Sequence, residues 1–476
     1  MATMNTAAGS AAPTSSARSI FFLVCASQFM VILDAAIVNV ALPSIERDLG
    51  FTPTDLAWVV NGYLLTFAGF MLFGGRAVDL FGHRRMLVAG LGLFAASSLI
   101  AGLAVTPAML VIARLAQGLG AAMLAPATLA VINASFAEGP ARAKAFGAWS
   151  AAGGIGGMSG ALIGGALTTA LTWRWVFLIN VPIGAALIAL ALLALTGNRN
   201  GRREPLDLAG AVTGTAGLGA LVYGVMQSAD HGWLSGEVVA LIGIGCILLI
   251  AFLLVEARIA LQPMLPLGLF ARRNIAVGNV MLMLFGGITI AMWYFSSLLL
   301  QNVLGYSALA AGLGQTPAAV VFVVVAHLAA PLLPRFGVRP LVLAGCACFV
   351  GGFGWLTQAG PESAYLVAVL GPTLLVAAGI GLTFPTLMAA ATADAPEGDA
   401  GIVAGLASTA SQVGSALGLA VLATAASVGA NANGGMVTQA ALANGYAHVF
   451  LIAAGYALAI ALASILLQRH KNQPTA

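Results

Sequence analysis

The chain has 476 residues, 60% hydrophobic and 7% charged, with a formal net charge of +4 and a mean hydropathy of +1.00. Soluble domains carry about 25% charged residues, so a water-facing surface cannot be assembled from this sequence. The basic residues are dispersed, which excludes a nucleic-acid footprint, and Cys25, Cys246, Cys346 and Cys348 lie inside apolar runs, which leaves no disulfide or metal framework.

The first apolar run, near 20–42, holds Asp34 and no small-residue cleavage site follows it, so it reads as a retained span. Further runs of roughly 20 residues lie between polar or Pro/Gly breaks. They fall near 56–76, 85–105, 108–133, 143–170, 174–196, 207–227, 237–256, 275–301, 308–332, 339–358, 364–390, 401–427 and 446–467. The expected architecture is therefore all-α, a polytopic membrane protein with fourteen spans. An even count puts both termini on one side. With the N-terminus inside, all basic residues fall in inside segments except Arg47, Arg174 and the intramembrane Arg114. The positive-inside rule then places both ends in the cytoplasm. Arginine far outnumbers lysine, and alanine and glycine abound, the residue usage of a GC-rich bacterial genome.

The two halves echo each other. Leu80-Phe81-Gly82-His83-Arg84 matches Arg335-Phe336-Gly337-Val338-Arg339 at an offset of 255. Gly147, Gly156 and Gly160 recur as Gly405, Gly414 and Gly418 at an offset of 258. This predicts two homologous six-span bundles, 18–200 and 261–468, separated by a two-span insertion at 201–260. Short tails, 1–17 and 469–476, complete the chain. Parallel repeats with a site at their interface are a transporter architecture, working by alternating access.

Two charges stand inside spans. Asp34 is the only acid well inside one, and a carboxylate at the bilayer centre costs roughly 2.5–3.5 kcal/mol on insertion scales. Such a group faces a cavity or a partner, and burial favours its neutral form; a permanently paired, inert charge is the alternative. Arg114 is the only base within a span. Asp34 lies about 21 Å into span 1 from one side and Arg114 about 9 Å into span 4 from the other. In a core roughly 30 Å thick these depths coincide, so the two can interact. Arg114 can equally bond backbone carbonyls or Gln117, one turn away. The counterparts of Asp34 and Arg114 in the second half are Thr289 and Thr373, both uncharged. In span 5, Gly156, Gly160 and Gly164 form a small-xxx-small ladder that lets another helix approach closely, either as static packing or as a sliding contact between bundles.

Four stretches resemble the major facilitator superfamily, and within it the fourteen-span drug:proton antiporter branch. They are Leu33-Asp34-Ala35-Ala36-Ile37-Val38-Asn39-Val40-Ala41-Leu42-Pro43 in span 1, and Gly75, Asp79, Gly82, Arg84 and Arg85 after span 2. The others are Arg114-Leu115-Ala116-Gln117-Gly118 in span 4, and Gly147, Gly156, Gly160, Gly164 and Gly165 in span 5. The resemblance covers about Arg18 to Arg469. It implies a monomeric exporter in the bacterial inner membrane that exchanges protons for lipophilic drugs or natural products and needs no cofactor. Asp34 and Arg114 would couple the proton, and the loop around Asp79 would form a cytoplasmic latch. Asn39, Asn61, Gln117, Trp293, Tyr294, Gln315, His327 and Gln412 would border the central cavity, although each serves equally well as packing. One departure is Ala161, where the antiporter pattern has proline after its third glycine.

Two other functions compete: a proton-coupled importer or facilitator of a metabolite, and a membrane-embedded lipid-modifying enzyme. The enzyme reading lacks support, because the sequence has no clustered His/Asp/Glu, no Ser-His pair and no nucleotide-binding loop. The acidic stretch Asp394-Ala395-Pro396-Glu397-Gly398-Asp399 reads as a solvated loop.

Overall fold

The computed structural model describes residues 15–136, 139–195, 207–259, 263, 265–395, 400–431 and 438–467. Residues 1–14 of the N-terminal tail, the C-terminal tail, the basic Arg199, Arg202 and Arg203, and the acidic Glu397 and Asp399 lie outside these, and the last three residues of the expected N-terminal tail already belong to the first helix. Among the described residues the chain is helical throughout, without strands.

The spanning helices are α1 (Ser15–Leu49), α2 (Trp58–Phe81), α3 (His83–Gly102), α4 (Pro107–Ser135), α5 (Pro140–Ala170), α6 (Asn180–Ala194) and α7 (Leu208–His231). They continue as α8 (Gly236–Leu254), α9 (Arg273–Ile290), α10 (Ala308–Phe336), α11 (Val338–Leu356), α12 (Gly371–Thr392), α13 (Ala400–Asn431) and α14 (Gln439–Ser464). Thirteen described helices are long and apolar enough to cross a membrane. The remaining expected span is α5, where glycines replace apolar side chains and dilute the hydropathy.

Helix starts follow local chemistry. Thr106, Ser235, Ser307 and Thr438 each accept a hydrogen bond from the backbone N–H three residues on, satisfying a donor that has no intrahelical partner. The turns between α2 and α3 and between α10 and α11 are each a single glycine, Gly82 at φ +85° and Gly337 at φ +78°. A side chain there would be strained. The amide of Gly82 donates to Val78 O at 2.9 Å and that of Gly337 to Leu333 O at 2.8 Å, so the sequence repeat is also a repeat of backbone geometry.

Packing repeats as well. In the first half α1 lies along α5, α2 and α3 along α4, and α3 along α6; in the second α9 lies along α13, α10 and α11 along α12, and α11 along α14. The halves meet through two related pairs, α5 with α10 and α2 with α13. Helix α7 packs on α8 and also on both α2 and α13. Trp58 and Tyr223 place their rings 5.8 Å apart, and Thr424 Oγ1 donates to Val225 O at 2.9 Å. Large apolar residues such as Ile112, Leu193, Ile247, Leu451 and Leu462 stay exposed, which in a membrane is contact with lipid.

Two ends of the bundle can be told apart by their contents. Arg174, Trp173, Asp48 and the Ala104 carbonyl cluster where α1 ends, with Arg174 Nη1 2.7 Å from Asp48 Oδ2. At the other end, beside Gly82, basic residues cap helix C-termini: Arg84 Nη2 donates to Leu192 O at 2.9 Å, and Arg142 Nη2 to Asn133 O at 3.2 Å. Cations there complement the negative helix ends. These are called the Leu49 end and the Gly82 end below.

Candidate functional site

Asp34 sits fully buried in the middle of α1, ringed by three donors from two other helices. Arg114 Nη1 of α4 is 2.7 Å from Asp34 Oδ2. The other carboxylate oxygen accepts from Gln117 Nε2 at 2.7 Å and from Asn180 Nδ2, at the start of α6, at 2.8 Å. Ser98 Oγ of α3 lies 2.6 Å from Gln117 Nε2 and closes the ring. The expected encounter of Asp34 with Arg114 is thus a direct ion pair.

Arg114 has partners beyond the carboxylate. Its Nε donates to Val59 O at 2.8 Å, Nη1 also reaches Gln117 Oε1 at 2.7 Å, and its guanidinium lies 4.4 Å from the centre of the Tyr63 ring. Arg114, Tyr63, Gln117, Asn180 and Ser98 are all excluded from solvent. A buried pair needs such supporting hydrogen bonds, since removing one partner costs about 3–5 kcal/mol; Asn180 Oδ1 has no partner.

Asn180 and Ser98 are members of this site that sequence reasoning missed. Asn180 was findable, because an amide inside the run Phe177-Leu178-Ile179-Asn180-Val181 is costly without a partner. Ser98 was not, because an intramembrane serine usually satisfies itself on its own helix backbone. In the second half no such centre exists at the matching positions: Thr289 Oγ1 donates to Gly286 O and Thr373 Oγ1 to Leu370 O, each within its own helix.

The expected cavity residues scatter. Gln117 belongs to the Asp34 ring. Asn61 is buried against the insertion, its Nδ2 3.4 Å from Met226 Sδ of α7. Gln315 Nε2 donates to Trp293 O at 3.3 Å, joining α10 to the continuation of α9, and Tyr294 is buried beside the Phe295 ring. Asn39 is buried, with no partner for its Oδ1. Gln412 is half-buried on α13, and His327 is exposed on α10 among Val324 and Leu328.

Of the loop residues, Gly82 holds the turn, Arg84 caps α6, and Arg85 is exposed. Gly75 is half-buried, and the closest approach of α4 falls on its neighbour Gly74, where an added Cβ would collide with Ala122 O. The side chain of Asp79 lies outside the described part of the structure.

The glycine ladder of α5 has a different partner from a sliding bundle contact. An added Cβ on Gly156 would stand 2.7 Å from Phe29 O, on Gly160 2.5 Å from Ala36 Cβ, and on Gly164 2.6 Å from Ile37 O. All three therefore pack on α1, within their own half. The contact between halves lies on another face of α5: a Cβ on Gly165 would meet Ala308 O at 2.5 Å, and Gly312 abuts Ala161. Ala161, which departs from the family's proline, is itself the inter-half contact. Gly147 is exposed, with no atom within 4 Å of an added Cβ.

Comparison with known proteins agrees with this architecture. The family model described as Major Facilitator Superfamily matches residues 24–419. The cephamycin export protein CmcT of Amycolatopsis lactamdurans is 44% identical, over 95% of this chain and 93% of its own. The puromycin resistance protein pur8 of Streptomyces alboniger is 38% identical, over 94% and 89% respectively. The crystal structure of an auto-inhibited POT family peptide transporter shares the fold, with a TM-score of 0.67 at 17% identity, covering 97% of this chain and 99% of that one. The chain belongs to the Major Facilitator Superfamily, and is a multi-pass membrane transporter of small molecules and not an enzyme.

Proposed function

We propose that this protein is a proton-driven antiporter that exports lipophilic drugs or natural products. The observation that carries this reading is the buried Asp34, the one carboxylate at the centre of a half, held in a ring of four donors and acceptors. When Asp34 takes a proton its pair with Arg114 is lost. Arg114 keeps the Val59 carbonyl, Gln117 Oε1 and the Tyr63 ring, so its charge stays solvated by protein. The site can therefore exist both charged-paired and protonated, as a proton carrier must. The export direction is supported by the names of the relatives, which describe antibiotic export and resistance.

In this reading residues 18–200 and 261–468 are two bundles that rock against each other, with 201–260 an insertion between them. The Gly82 end, rich in arginine, faces the cytoplasm of the bacterial inner membrane together with both termini, and the transporter works as a monomer. The loop around Asp79 biases the cytoplasmic gate, and Asn39, Trp293, Tyr294, Gln315 and Gln412 border the substrate path.

The test is transport by Asp34→Asn in proteoliposomes under an imposed gradient. An inward proton gains about 2.3 kcal/mol per 100 mV and about 1.4 kcal/mol per pH unit. Asparagine cannot carry it, so uphill transport is expected to vanish while substrate binding persists. Wild-type uphill transport by this variant would remove the reading. Counterflow in inside-out vesicles separates export from import.

A further inference from the structure

Pro43 lies inside α1 and has no N–H, so the carbonyl of Asn39, four residues earlier, lacks its helical donor. With no water in a bilayer core, a carbonyl freed in this way must find a protein donor. Val40 O, next to it, still has the N–H of Ser44 four residues on and can accept a second bond with its other lone pair. Two donors come from the other half of the chain. Ser297 Oγ donates to Asn39 O at 3.2 Å, and Gln301 Nε2 donates to Val40 O at 3.1 Å. The donors support each other, Gln301 Nε2 lying 3.1 Å from Ser297 Oγ one turn away.

Their placement is not that of a regular helix. Beyond α9 the chain runs through a π-helical turn, Ala291–Phe295, a short helical turn, Ser296–Leu298, and a second π turn, Leu299–Val303. Such turns re-aim side chains and recur at functional sites. Trp293 O, the usual acceptor for a serine at 297, is instead engaged by Gln315 Nε2. Beside the latch, Val40, Ala161 and Ala308 form a dry cluster where α1, α5 and α10 meet.

We propose that Ser297 and Gln301 are the latch of the gate at the Leu49 end, holding the second half to Asn39 O, which Pro43 frees on the first, and to its neighbour Val40 O. Opening that end breaks two hydrogen bonds, and Asn39 O then has no substitute donor in the bilayer, so the latch biases the transporter toward the conformation described above. The inference rests on the alternating-access reading but not on the identity of the substrate or on proton coupling.

The test reads the gate directly. Val40, fully buried, is replaced by cysteine in full-length protein whose four native cysteines are changed to serine, and maleimide labelling is timed in purified transporter in nanodiscs. Labelling is expected to be slow with both donors present and about tenfold faster in Ser297→Ala/Gln301→Ala. Ser297→Thr, which keeps the hydroxyl, should stay slow. Gln301→Leu keeps the volume and should match the alanine change, covering the case in which alanine prevents folding. In a Pro43→Ala background, where Asn39 O regains a helical donor, Ser297→Ala alone should change the rate by less than about twofold. Unchanged labelling without the donors, or equal acceleration in the Pro43→Ala background, overturns the proposal. Labelling needs neither drug nor proton, so these outcomes stand apart from failure of the export reading.

Discussion

Asp34 was legible because an acid in an apolar run has few explanations, and helix rise placed Arg114 at a matching depth while leaving backbone carbonyls and Gln117 open as its partners. The rest of the ring was less legible, because amides and hydroxyls at 98 and 180 carry no charge to advertise them. Each member can be tested. Asn180→Ala removes one of the three donors to the buried carboxylate and should lower the melting temperature of the purified transporter by less than loss of the ion pair does. Arg114→Ala leaves a buried carboxylate without its counter-ion, a loss of about 3–5 kcal/mol. Its melting temperature should fall sharply, and Arg114→Lys should recover only part of it, since an ammonium cannot span Asp34, Gln117 and Val59 as the guanidinium fork does.

At the level of elements, apolar run length located the helices, and the recurrence of Gly82 in Gly337 gave the repeat. Sequence did not reveal which helix each face of α5 meets, because Gly156, Gly160 and Gly164 would look alike against any neighbour. The π turns after α9 were equally hidden, since Ser296, Ser297, Gln301 and Asn302 interrupt the apolar run of Ala291–Val303 without a glycine or proline to mark a change of helical geometry. The glycines now give graded expectations. Gly160→Leu should push α1 away from α5 and lower thermal stability as well as transport, because the collision is with Ala36 beside Asp34. Gly165→Val should spare folding of the first half yet stop transport, because its clash is with α10 across the interface. Gly147→Ala should be neutral or stabilising by up to about 1 kcal/mol, as nothing opposes the added methyl on a helix. Normal transport by Gly165→Val in well-inserted protein would show that this face does not move.

For the whole molecule, the charge inventory limits what can be carried. Asp34 is the one acid near the middle of a span, Glu46 and Glu256 lying near span ends, so a dication would find no second carboxylate at that depth. Substrates are expected to be neutral or monocationic lipophiles, and a resistance screen in a pump-deficient host should show strong protection against these. Asp34-independent efflux of a bivalent dye would contradict it. The glycine offsets predicted a repeat, and the order of helix packing repeats with them, while the seat of α7 was not readable, because α7 carries no motif that names its neighbours.

That seat makes the transporter handed about its own pseudo-symmetry. The α2–α13 seam has α7 lying across it, with Asn61, Leu65 and Gly69 turned toward Met226, Gly219 and Thr215. Along the α5–α10 seam Ser150, Ile155, Val320 and Val324 are exposed, with no helix covering them among the described residues. One flank of the rocking motion thus slides against protein and the other against acyl chains. Changes in membrane fluidity or chain length act on a single edge, as on a door hung from one jamb.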